Sequence, residues 1–78
     1  MSDLAEAQRR IRDRIMRDRP AAVAGPAPFW ARLIALPVPL TIAALEALAD
    51  QGVVRRQPLS GEIFYIADPP HAPQRGAT

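Results

Sequence analysis

Seventy-eight residues with a formal net charge of +2 leave room for one small domain, of a size that buries a modest share of its surface and gains stability from a partner or a second copy. The absence of cysteine excludes disulfides, thiolate metal sites and cysteine nucleophiles, and nothing points to an oxidising compartment. All ten basic residues are arginine, six of them between Arg9 and Arg19, a clustering that suits phosphate or acidic protein surfaces; a chain rich in Ala, Arg and Pro, without Lys or Asn, equally reflects a GC-rich genome.

The opening MSDLAEAQRR has no apolar signal core, so a cytoplasmic location is expected. Ser2 is placed to cap a helix over residues 2–19, with Asp3 and Glu6 in its first turn and Pro20 as its stop. Leu4, Ala7, Ile11 and Ile15 share one stripe of that helix, and Glu6 to Arg10 and Asp13 to Arg17 stand at ion-pair spacing. The stripe is too short for a sustained heptad pattern, though a second copy could pair with it. Residues 20–28, PAAVAGPAP, read as a Pro-rich loop.

FWARLIAL then suits a short second helix, with Phe29, Leu33 and Leu36 facing the core. The longest uncharged run, Leu33 to Leu45, is well short of the roughly 20 apolar residues that span a bilayer and contains two prolines, so no membrane segment is expected. Pro39 is tolerated in the first turn of a third helix, PLTIAALEALADQ, which Gly52 stops; Thr41, Ala44, Leu45 and Leu48 form its buried side. VVRRQ and EIFYIA read as two strands joined by PLSG, with Ser60 and Gly61 as turn residues. Alternation puts Phe64 and Ile66 on one face and Ile63 and Tyr65 on the other. Residues 1–68 are thus expected to form one domain, mainly α with a small β-hairpin, and residues 69–78 a disordered tail.

Three helices followed by a two-stranded hairpin is the order of a winged helix-turn-helix domain. The stretch from Phe29 to Ala67 resembles the core of ArsR-like bacterial transcription regulators: Leu33 and Leu36, then Leu45 and Leu48, then DQGVVRR leading into the wing, and SGEIFYIA at its tip and return strand. The Arg-rich helix looks like the family's preceding core helix, with a longer, Pro-rich connection. The resemblance implies a DNA-associated regulator and carries base reading onto Val38, Pro39, Leu40, Ile42 and Ala43. Base edges are read by Arg, Lys, Asn, Gln and Ser, and none of these occurs from Leu33 to Ala49. Thr41 points inward by its spacing, and Glu46 and Asp50 would repel phosphates. Phosphate contacts from Arg9, Arg10, Arg12, Arg14, Arg55 and Arg56 are the form of DNA binding left; the alternative is a solvated surface balanced by Glu6, Asp13 and Asp18. Tyr65 could touch a sugar or phosphate, or simply pack.

The same departure suits protein docking, through an apolar patch of Val38, Leu40, Ile42 and Ala43 rimmed by Arg and Glu, unless the loop from Val23 to Phe29 folds over it. Trp30 could anchor either arrangement, or serve the core. His71 is the only histidine and lies in the tail, while Ser2 and Ser60 have no base nearby in sequence. With no glycine-rich phosphate loop either, no catalytic residue, metal site, cofactor or small-molecule substrate is expected. Two readings stand: a DNA-associated regulator holding the phosphate backbone, taken as the first, and a protein-interaction adaptor docking through the third helix. In either case the small size and the narrow stripe of the first helix lead to the expectation of a homodimer.

Overall fold

Helix α1 (Asp3–Asp18) buries Ala7 and Ile11 completely, with Leu4 and Ile15 packed beside them, so the stripe read from the sequence is the face laid on the core. Glu6 pairs forward with Arg10 at 3.0 Å, while Asp13 pairs back to Arg9 at 3.3 Å, where spacing suggested Arg17. The computed structural model describes residues 3–18 and 21–67; the Ser2 cap, the Pro20 stop and the 69–78 tail with His71 lie outside them.

Residues 20–28 are not simply a loop. Val23–Pro26 forms strand β1, and helix α2 (Ala27–Ile34) begins two residues earlier than expected. Gly25 carries no side chain where Phe29 lies closest: a Cβ there would stand 2.4 Å from the Phe29 ring. Pro26 ends the strand with φ −73° and serves as the α2 N-cap, and Pro28 sits in the first turn, where its missing N–H costs nothing. The buried face of α2 is Ala27, Trp30, Ala31 and Ile34, a rotation from the expected Phe29, Leu33 and Leu36, which are only partly buried against the core. Trp30 is fully buried, and its indole N–H donates to the Gly25 carbonyl at 3.1 Å and the Tyr65 carbonyl at 3.0 Å.

Ala35, at φ 59°, ends α2 in the left-handed conformation, and the chain turns through 105° into α3 (Val38–Asp50). Thr41, Ala44, Leu45 and Leu48 are completely buried, the side the spacing gave. Thr41 returns its hydroxyl to the Pro37 carbonyl at 2.8 Å, which satisfies that polar group in the core. The helix closes as a Schellman motif: Val53 N–H donates to Leu48 O at 2.9 Å and Gly52 N–H to Ala49 O at 3.1 Å, with Gly52 at φ 82°.

Strands β2 (Arg55–Leu59) and β3 (Glu62–Ala67) form the hairpin, and Val54, expected in the first strand, precedes it as a buried residue. The loop is Ser60 and Gly61 alone, at φ 50° and 81°, the two positive angles of a type I′ turn; Pro58 and Leu59 belong to the strand. The sheet has three strands rather than two, in the antiparallel order β1-β3-β2, with Gly25 opposite Tyr65 and Arg56 opposite Tyr65. Val23, Tyr65 and Ala67 turn into the core beneath α2 and α3, while Phe64 and Ile66 share the outer face. The whole is three helices and a small antiparallel sheet, mainly helical. No single helix among the described residues is long and apolar enough to cross a membrane.

Candidate functional site

The two ends of α3 differ in chemistry. At the C-terminal end, Arg56 donates through Nε to Glu46 Oε1 at 2.7 Å and through Nη2 to Asp50 Oδ1 at 2.9 Å. The second Glu46 oxygen accepts from the Tyr65 hydroxyl at 2.6 Å. These contacts tie β2 and β3 to α3, and they set the local ionisation. The Arg56 hydrogen bond, then that of Tyr65, holds the Glu46 carboxyl below the usual range, and Glu46 and Asp50 raise Arg56. Burial first, then the Glu46 hydrogen bond, pushes Tyr65 up to about 12. From the α1 side, Arg12 donates to the Gln51 side chain, which in turn donates to Gln8 Oε1 at 3.1 Å.

The remaining α1 arginines are engaged likewise. Arg9 forks onto both Glu6 oxygens at 2.7 Å, and Arg10 bonds Glu6 at 3.0 Å and reaches the Ile34 carbonyl at the end of α2 at 3.2 Å. Glu6 is lowered accordingly, by Arg9 first and Arg10 next. Arg14 pairs with Asp18 at 3.2 Å. The nucleic-acid candidates Arg9, Arg10, Arg12, Arg14 and Arg56 thus hold partners inside the chain, and Arg55, exposed at the start of β2, is not without a contact of its own. A cleft of about 200 Å³ between α1 and the end of α2 is lined by Arg10, Asp13, Arg14, Arg17, Leu33 and Ile34.

The N-terminal end of α3 is apolar and open. Val38 is 37% and Ile42 40% exposed, with Ala43 also exposed; Leu40 turns partly inward against the core. The segment from Val23 to Phe29 does not cover this face. It lies in the sheet and the start of α2, and its Pro26, Ala27 and Pro28 form one wall of a groove of about 250 Å³ whose other walls are Ile42, Glu62, Ile63 and Tyr65. A second groove of about 410 Å³ continues around the α2–α3 junction, lined by Pro28, Ala31, Arg32, Ala35, Leu36, Pro37 and Val38.

Ile63, 43% exposed, belongs to this face and was not singled out from the sequence. Its signal was the alternation of EIFYIA, which puts it on the Tyr65 side two residues nearer the hairpin tip, beyond the covered part of the sheet. The bonding of Glu46 and Asp50 to Arg56 was also missed, because residues ten and six apart across a turn leave no periodic trace. Among the described residues no group of three or more His, Cys, Asp or Glu is placed to hold a metal. No protein-family model, curated protein or solved structure matches this chain.

Proposed function

We propose that this chain is a non-catalytic protein-interaction module of the winged helix-turn-helix type, working in the cytoplasm and docking an apolar protein surface through Val38, Ile42, Ala43 and Ile63. The fold assignment, and with it the ArsR-like resemblance, is supported by the order of helix, helix, helix and hairpin. It is supported further by the 105° turn between α2 and α3 over the three residues 35–37, within the range of helix-turn-helix pairs. The observation that carries the function is the exposed apolar strip where a DNA-reading helix needs hydrogen-bonding side chains. Large open apolar residues that gather on one face of so small a domain mark a surface used for association.

DNA association through phosphate contacts is the second reading, favoured by the cleft where Arg10, Arg14 and Arg17 converge. Under it, Arg9, Arg10, Arg12, Arg14 and Arg56 would each have to exchange a partner inside the chain for a phosphate.

Photo-crosslinking in the host cell separates the two readings. A benzophenone side chain at position 42 or 63 is expected to trap protein, and one at position 12 to trap little. Adducts to nucleic acid, or protein adducts from position 12 alone, would rule out docking through α3.

A further inference from the structure

Val38 and Ile42 stand one turn apart on α3, and the two grooves they line meet at Pro28, which belongs to both. The apolar strip is therefore continuous from Leu36 and Val38 at one end to Ile42 and Ile63 at the other. Its ends carry opposite charges: Arg32 lines the groove at the Val38 end, and Glu62 lines the groove at the Ile63 end. Both charged residues are exposed, and among the described residues neither makes an ion pair within the chain.

A strip with one sign at each end and apolar residues between is complementary to itself when turned end for end. We infer that the occupant of this face is a second copy of the chain, joined by a two-fold axis near Pro28, where the two grooves meet. Arg32 of each copy then meets Glu62 of the other, and the Val38 end of each strip lies against the Ile42 and Ile63 end of the other. The contact is isologous, since the same patch serves both copies and the assembly closes at two. It removes Val38, Ile42 and Ile63 from water at once, in a chain whose size limits the core it can bury alone. The net charge of +2 per copy opposes the pairing weakly. This inference rests on the reading of α3 as a docking face and names its partner.

Sedimentation equilibrium of the full chain from micromolar to millimolar concentration tests it. The wild-type protein is expected to dimerise. Ile42→Glu, at an exposed site where folding survives and is checked by circular dichroism, should weaken the dimer at least ~30-fold, as loss of a buried apolar contact does. Arg32→Glu or Glu62→Arg alone should weaken it roughly 3- to 10-fold, the scale of exposed ion pairs, and the double reversal should restore it. A wild-type chain that remains monomeric overturns the inference, as does a dimer indifferent to Ile42→Glu and to both reversals. Crosslinking at position 42 then judges the docking reading separately: adducts to a different protein sustain it, and their absence ends it.

Discussion

The Tyr65 hydroxyl donates to Glu46 Oε2 at 2.6 Å, and through this bond the last strand of the sheet is fastened to the middle of α3. The other oxygen of the same carboxylate accepts from Arg56 on the neighbouring strand. One glutamate thus holds both strands of the hairpin and fixes Ile63 beside Ile42. The ionic end of α3 positions its apolar end.

Removing only the hydroxyl measures that bond. Tyr65→Phe keeps the buried ring and loses one charge-assisted hydrogen bond, so a loss of ~1–2 kcal/mol is expected in urea unfolding, with an unchanged m-value. A loss indistinguishable from zero would mean that this bond does nothing to hold the hairpin, leaving Arg56 and packing to do so.

The same cluster gives stability a pH dependence at both ends of the scale. Glu46 is depressed in the folded protein, so its contribution is present above the ordinary carboxylate range and fades as pH falls through the lowered folded value. Tyr65 is raised from 10.0 to about 12, so its contribution is complete below pH 10 and fades as pH rises toward 12. Melting temperatures across pH should show both losses, and Tyr65→Phe should remove the alkaline one.

Gly25→Ala should destabilise the fold by ~1–3 kcal/mol, because the new methyl would meet the Phe29 ring where nothing can yield cheaply. Phe29 also packs edge-on against Trp30, with ring centroids 6.1 Å apart, which limits its retreat. Combining Gly25→Ala with Phe29→Ala should cost less than the sum of the two changes, since the second vacates the space the first requires. Chemical denaturation of the four proteins checks the cycle.

Ala35 and Gly52 end the two core helices in the left-handed region, at φ 59° and 82°. An L side chain is strained there, so Ala35→Gly should raise stability by up to ~1 kcal/mol while Gly52→Ala lowers it by ~1 kcal/mol. Opposite shifts in melting temperature are the expected result; equal shifts would place the strain elsewhere.

Long periodic segments were legible in the sequence because period and burial coincide there. Ala7 and Ile11 on α1, and Thr41, Ala44, Leu45 and Leu48 on α3, follow from helical spacing alone. Strand β1 was hidden because two of its four residues are Gly and Pro, which strands disfavour, and only pairing with β3 makes them a strand. The face of α2 was ambiguous because FWARLI is apolar at every position except Arg32. The structure resolves it by sending Phe29 onto Gly25 and Trp30 inward. The apolar candidates on α3 were visible as a departure from DNA-reading chemistry. The pairs of Arg9, Arg10 and Arg14 with acidic residues of α1 stand at helical spacing, whereas the continuation through Ile63, the bond of Arg12 to Gln51 and those of Arg56 to Glu46 and Asp50 join separate elements and leave no periodic trace.

The most direct measurement is fluorescence anisotropy of a generic DNA duplex titrated with the purified chain across a salt series starting at low ionic strength. Docking through the apolar face of α3 calls for no salt-dependent binding, because the arginines that would meet phosphate are largely occupied by Glu6, Asp13, Asp18, Glu46 and Asp50. Tight binding that weakens steeply with salt would show those arginines on phosphate instead and would contradict the assignment of α3 as a protein-docking face.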